Sequence, residues 1–242
     1  MAEATEQTST SFNGGLKLVI ANKNYSSWSL RGWLAMKLTG APFEEIVVPL
    51  RVPETRELIM RHSPSGKVPC LIDGDVTVWE TLAIIEYLAE KFPAAGLWPS
   101  EAGARAHARA ISSEMHAGFM MLRKAMPMNI RESLPGYGMA LDGVQGDINR
   151  IESIWRDARG RYGAGGDYLF GAFSAVDAMF APVALRFKTY SVTLGESAAA
   201  YVEALLAYPA LAEWIAAAKV EPWMIPDYEK DGINGPAGPS AS

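Results

Sequence analysis

Two stretches pair hydroxyls with charge where helices begin, and a third sets a proline at the start of a strand. Ser26-Ser27-Trp28-Ser29-Leu30-Arg31 falls where a strand-forming run gives way to helical spacing. Hydroxyl donors at a helix N-terminus stabilise an anion. The same serines are also natural N-caps, each contributing about 1 kcal/mol, and capping needs no ligand. Trp79-Glu80-Thr81-Leu82-Ala83-Ile84-Ile85 opens another helix with an acid and a hydroxyl, again a cap or a ligand site. Val68-Pro69 puts a proline where it cannot donate to a ladder, which marks a sheet edge or a special peptide bond.

The elements that must hold these residues follow from the apolar pattern. Leu16–Ala21 is rich in strand formers. Leu30, Trp33, Leu34 and Leu38 then define one buried helix face, stopped at Gly40 and Pro42. Phe43–Leu50 predicts a second strand and Glu54–Arg61 a short helix. Val68–Ile72 and Val76–Val78 flank Asp73-Gly74, the signal of an antiparallel hairpin. Leu82, Ile85, Leu88 and Ala89 give a helix over Glu80–Lys91. Residues 15–94 therefore form an α/β unit, and 95–100 a linker containing Pro and Gly. Beyond it strand signals almost vanish. Helices are predicted over Glu101–Ala125, Leu141–Tyr162, Ala175–Thr189 and about Ala198–Lys219, which makes 101–228 an all-helical domain. Residues 1–14 and 229–242 are small and polar and read as a loose leader and tail.

Composition narrows the function. The chain has 242 residues, 49% hydrophobic and 20% charged, so bulk disorder is excluded. A net charge of −5 without a basic tract argues against a nucleic-acid partner. One cysteine, Cys70, excludes an intramolecular disulfide, a CxxC pair and a multi-cysteine zinc site; inside a strand it reads as a buried structural thiol. No apolar run approaches the ~20 residues of a membrane helix. The first ten residues carry Glu3 and Glu6, no basic group and no apolar signal core, so a cytoplasmic location is expected.

On a wheel of Glu101–Ala125, Arg105, Arg109, Ser112, His116 and Arg123 fall within about 40° of one another, opposite in character to an apolar face from Ala104 to Met126. His107 lies across the helix from His116, so the two share no metal, and His62 reads as surface or loop. Met120, Met121, Met126 and Met128 with Trp28, Trp79, Trp223 and Met224 could line an adaptable apolar pocket or fill core and interface.

Taken in order, these segments resemble the glutathione transferase superfamily. Ser26-Ser27-Trp28-Ser29-Leu30-Arg31 is similar to the Ser-Ser-Cys-Ser-Trp-Arg signature of its zeta class, and the slot of Ser26 is where tau and omega enzymes keep a Ser or Cys. Ser63-Pro64-Ser65-Gly66-Lys67-Val68-Pro69 resembles Asn-Pro-x-Gly-x-Val-Pro, whose last proline is cis. Glu80-Thr81-Leu82-Ala83-Ile84 resembles Glu-Ser-x-Ala-Ile, and Phe173-Ser174-Ala175-Val176-Asp177 the Ser/Thr-x-x-Asp box of the helical domain. Glu114-Met115-His116 resembles the Glu-Leu-His of bacterial beta-class members. Serine-type zeta and tau patterns of bacterial members are the nearest, over roughly Leu16–Tyr228. Trp28 for Cys and Gly32-Trp33 for Val-Arg depart from the zeta pattern and from its maleylacetoacetate isomerase activity.

The resemblance implies a thioredoxin-like N-terminal domain, an all-α C-terminal domain and a homodimer. It implies glutathione as co-substrate, no metal, and attack of its thiol on a small apolar electrophile held between the domains. Ser26 would be catalytic with Ser27 in support. Val68 and Pro69 would meet the cysteinyl backbone, and Lys67 the glycyl carboxylate. Glu80 would take the γ-glutamyl ammonium, Thr81 its carboxylate, and His116 would lie alongside. Trp28 and Met120 would line the second-substrate pocket. Lowering a thiol pKa of ~8.5 by two units takes ~2.7 kcal/mol, the size of one hydroxyl donor plus a helix N-terminus. The alternatives are a zeta-like glutathione-dependent isomerase and a non-catalytic regulator or carrier on the same fold.

Overall fold

A computed structural model describes residues 15–229. The expected leader and residues 230–242 of the expected tail lie outside that range. Strands β1 (Leu16–Ala21), β2 (Phe43–Val48), β3 (Cys70–Asp73) and β4 (Val76–Trp79) form one sheet in the order β2-β1-β3-β4. β1 runs parallel to β2 through the crossover helix α1 (Ser27–Leu38), and β3 is antiparallel to both β1 and β4. Such a strand, helix, strand crossover is what the parallel pair requires. α2 (Thr55–Met60) is short, and α3 (Thr81–Lys91) follows β4 directly.

The second domain is helical: α4 (Ala102–Ala117), α5 (Met120–Ala125), α6 (Val144–Tyr162), α7 (Ala175–Thr189), α8 (Glu196–Ala207) and α9 (Pro209–Val220). α1 carries Leu30, Trp33, Leu34 and Met36 fully buried and packs on α3, α7 and α9, so it is a shared core element of both domains. Burying such side chains stabilises by about 1.5–3 kcal/mol each. That anchoring fixes the helix whose first turn carries the serines.

Three sequence expectations change. The helix over Glu101–Ala125 is two helices, because Gly118 turns extended and Phe119 is left-handed at φ 61. Arg123 therefore leaves the stripe of Arg105, Arg109, Ser112 and His116, and Ser112 is fully buried rather than solvated. The helix over Ala198–Lys219 is also two, interrupted at Tyr208, because Pro209 disfavours helical backbone in the residue before it. In the hairpin, Asp73 pairs with Val76, so the turn is Gly74-Asp75, one residue later than expected. Gly74 supplies the positive φ of 58, while Asp73 is held in the strand by Tyr87 and Lys91.

Candidate active site

A cleft of about 330 Å³ lies where the two domains meet. The N-terminal domain contributes Trp28, Lys67, Val68, Pro69, Glu80 and Thr81; α4 contributes His116 and Ala117. Val68–Pro69 is a cis peptide, as the resemblance implies, and β3 begins only at Cys70. Residues from four separate stretches of sequence thus converge on one concave surface.

The N-terminus of α3 is the chemically unusual part of this wall. Its N-cap, Glu80, sits at φ 69 and ψ 129, a backbone state that costs a non-glycine residue about 1–3 kcal/mol. Glu80 makes no side-chain cap, so the first amides of α3 receive nothing from it. Thr81 is 1% exposed, and its buried hydroxyl has no hydrogen-bond partner among the described residues. An unmet hydroxyl and uncapped amides beside an exposed carboxylate form a pair of opposite poles, suited to a group that carries both charges.

On the facing wall, His116 lies 3.9 Å from the Glu80 carboxylate, and its ring meets Trp28 edge-on at 5.0 Å. Burial lowers the imidazole pKa below the ordinary histidine value; Glu80 opposes this, while Arg31 and Arg123 add to it. The ring is therefore mostly neutral at pH 7. Trp28 in turn is flanked by two guanidiniums, Arg31 at 4.6 Å and Arg123 at 4.9 Å. Arg123 also donates to the carbonyls of Gly118, at 3.0 Å, and Met115, so it caps the end of α4 instead of joining its stripe. Arg31 is fully buried, bonded at Nε to the Met179 carbonyl at 2.8 Å, with both terminal nitrogens unpartnered among the described residues. Burial, then repulsion from Arg123 and Arg186, holds its pKa well below the usual guanidinium range. The floor beneath Trp28 is thus electropositive.

Ser26 is the N-cap of α1: its hydroxyl accepts from the Ser29 amide at 3.3 Å and donates to the Ser29 hydroxyl at 2.8 Å. The Ser29 hydroxyl accepts the Ala21 amide at 2.9 Å, tying the cap to the end of β1. Ser27 is the first residue of α1, and its side chain has no hydrogen-bond partner among the described residues. Both serines are 7% exposed, and neither lines the cleft. Met120 is 64% exposed at the start of α5 and stands outside it too.

The remaining candidates scatter. Cys70 is buried in β3 with its thiol toward the His62 carbonyl at 3.5 Å, and burial pushes its pKa up. His62 is partly buried. His107 packs against Tyr162 and Phe170, far round α4 from His116. No cluster of three metal-ligating side chains occurs among the described residues, and none of their helices is long and apolar enough to cross a membrane. Sequence reasoning missed the roles of Arg31 and Arg123; Gly118-Phe119, a glycine within a helical pattern, was the available signal for Arg123.

Comparison with known proteins identifies both domains. Residues 25–91 match the model of the glutathione S-transferase N-terminal domain, and 107–217 that of the C-terminal domain. A probable maleylacetoacetate isomerase of Caenorhabditis elegans is 33% identical over 145 residues, covering 58% of this chain and 66% of the relative. A dichloromethane dehalogenase of Methylorubrum extorquens is 48% identical over 59 residues, covering 24% of this chain and 20% of that protein. The alignments thus span less than two thirds of these relatives. Among solved structures, a Burkholderia glutathione transferase homolog with bound glutathione superposes with a TM-score of 0.64 at 22% identity, over 84% of this chain and 97% of the other. The tau-class glutathione S-transferase of mango, Mangifera indica, gives 0.65 at 18%, over 83% and 92%. At these identities the likeness is one of fold. With a mixed β/α N-terminal domain, an all-α C-terminal domain and both domain models matched in order, the chain belongs to the glutathione transferase superfamily.

Proposed function

We propose that the cleft binds glutathione and that the protein activates its thiol for attack on a small apolar electrophile bound between the domains. The observation that carries this reading is the buried, unpartnered Thr81 hydroxyl at an uncapped helix N-terminus beside the Glu80 carboxylate. A γ-glutamyl end presents an ammonium and a carboxylate on one carbon. Glu80 pairs with the first, and Thr81 with the amides of α3 receives the second. Val68 and Pro69 lie along the cysteinyl backbone, Lys67 meets the glycyl carboxylate, and neutral His116 closes the opposite wall. Trp28 faces the second substrate. Met120, exposed and outside the cleft lining, has no part in it.

The thiol then lies near the first turn of α1. Ser26 gives up its neutral bond to Ser29, worth about 0.5–1.5 kcal/mol, for a bond to a thiolate worth about 1.5–3 kcal/mol, so the exchange is favourable once the anion forms. Ser27 has a hydroxyl without a prior partner and supports the same anion. The helix N-terminus and the buried Arg31 charge act in the same direction. Superfamily likeness supports a homodimer, and composition supports a cytoplasmic location.

A second reading is favoured by the nematode relative and by a rat maleylacetoacetate isomerase that is 28% identical over 174 residues. It makes the protein a zeta-like, glutathione-dependent isomerase, with the electropositive floor under Trp28 receiving an anionic substrate. Thiolate absorbance in the ultraviolet tests the shared step. Ser26→Ala is expected to raise the bound thiol pKa by one to two units and cut turnover near pH 7 by roughly ten- to a hundredfold. A shift seen only in Ser27→Ala moves the role to Ser27. No shift in either variant rejects hydroxyl activation.

A further inference from the structure

Beside local bonds at Asn22, the loop that delivers Ser26 to α1 is held by residues about one hundred to two hundred positions away. Glu221, at the end of α9, accepts the backbone amides of Lys23 at 2.7 Å and Asn24 at 2.9 Å. Arg131 binds both partners of the junction: it donates to the Tyr25 hydroxyl at 2.7 Å, and to the carbonyls of Glu221 at 3.0 Å and Trp223 at 2.8 Å. The Tyr25 hydroxyl also accepts the Ile225 amide at 3.2 Å and bonds to Glu229. Asn24 accepts the amides of Ile130 at 2.7 Å and Arg131 at 3.0 Å, and donates to Asn129 at 2.8 Å. Asn129 completes the circuit by donating to the Tyr228 carbonyl at 2.8 Å.

Surface loops ordinarily satisfy their amides with water. Here a carboxylate is withdrawn from water to do so, and burial pushes the Glu221 pKa up against the pull of the two amides, Arg131 and Lys23. Tyr25 is 6% exposed and Asn24 fully buried, so both side chains are packed rather than solvated. The Ser26 amide donates to the Asn22 carbonyl at 2.9 Å, which makes the serine the last residue of this same turn. A displacement of the loop therefore displaces the serine.

We propose that residues 221–229 are a strap that sets the position of the thiol-activating serine, with Glu221, Arg131 and Tyr25 as positioning residues. The proposal rests on the glutathione reading above and on the role given there to Ser26. None of the three residues lines the cleft, so the strap acts on the geometry of thiol activation and leaves glutathione's own contacts alone.

Full-length Glu221→Gln, Arg131→Met and Tyr25→Phe test it, with melting curves, steady-state kinetics and ultraviolet titration of bound glutathione on each. Arg131→Met is expected to lower kcat near pH 7 about tenfold and raise the bound thiol pKa by about one unit, with KM for glutathione within about twofold. Tyr25→Phe changes both less. Glu221→Gln, which keeps one amide acceptor, retains more activity than Glu221→Ala. Variants that melt lower yet keep the wild-type kcat and thiol pKa make the strap packing alone and overturn the proposal. Should Arg131→Met fail to fold, Tyr25→Phe and the Gln/Ala pair at Glu221 decide it. A shifted thiol pKa in Ser26→Ala with wild-type values in every strap variant refutes the strap only. A wild-type pKa in Ser26→Ala refutes the serine assignment and the strap with it.

Discussion

The N-terminus of α7 is closed by its own side chains, whereas that of α3 is left open. At α7, Ser174 and Asp177 form a reciprocal capping box, and the Asp177 carboxylate accepts the Ser174 amide at 2.8 Å and hydroxyl at 2.9 Å. It also accepts the Leu169 amide at 3.2 Å and the Tyr201 hydroxyl at 2.8 Å. At α3 the N-cap carboxylate makes no cap, its backbone is in an unfavourable region, and the adjacent hydroxyl has no partner. The same helix-end groups are satisfied from within at α7 and left unmet at α3. The difference lies in where each helix begins: α7 in the core, α3 at the wall of a cleft.

The largest expected effect breaks the closed end. Asp177→Ala leaves four buried donors unmatched and is expected to cost about 3–5 kcal/mol, measured by denaturant midpoint, with glutathione affinity of the folded fraction unchanged. Equal stability would show that the box does not carry the load assigned to it.

The pH dependence sharpens the same point. Burial raises the Asp177 pKa to about 6, against the four donors, from an ordinary value near 3.8. Between those values the folded protein holds a proton that the unfolded chain releases. The contribution of this group to stability therefore falls as pH rises from about 4 to about 6, by up to about 3 kcal/mol. Asp177→Asn lacks that slope, and the difference between the two proteins across the window isolates it. Parallel stability curves would place the carboxyl at its ordinary pKa.

The open end responds in binding. Thr81→Val removes an unmatched buried hydroxyl, so the free protein is expected to be as stable or slightly more so. The Kd for glutathione should rise by roughly ten- to a hundredfold, the worth of a donor to a carboxylate. Tighter folding with unchanged binding would make Thr81 a core residue. The smallest effect concerns strain: Glu80→Gly relieves a positive φ and is expected to stabilise the free protein by about 1 kcal/mol while weakening glutathione binding. A loss of stability would show that the Glu80 side chain holds the turn.

Most of the fold is written locally. The strand, helix, strand order of the first domain, its hairpin and the Ser174/Asp177 box each depend on residues a few positions apart; the order and the box are found as expected, and the hairpin with its turn one residue later. The breaks at Phe119 and Tyr208 were harder, because apolar spacing continues in phase across both and only Gly118 and Pro209 betray them. In the site, Lys67, Val68, Pro69, Glu80, Thr81, His116 and Trp28 do converge. The direction of the Ser26 hydroxyl was not legible, since a cap and an anion donor look alike in sequence. Nor was the clamp on Asn24, whose partners lie 105 and 197 positions away. Contacts at that separation leave no periodicity to read.

On the function proposed above, the N-terminus of α3 is open because a γ-glutamyl group fills it. Calorimetric titration of the wild-type protein with glutathione, and separately with cysteinylglycine, tests that most directly. The dipeptide keeps the thiol and the glycyl carboxylate and lacks only the group assigned to Glu80 and Thr81. The account predicts saturable heat with glutathione and none with cysteinylglycine at the same concentrations. Equal binding of the two, or no binding of either, would contradict it.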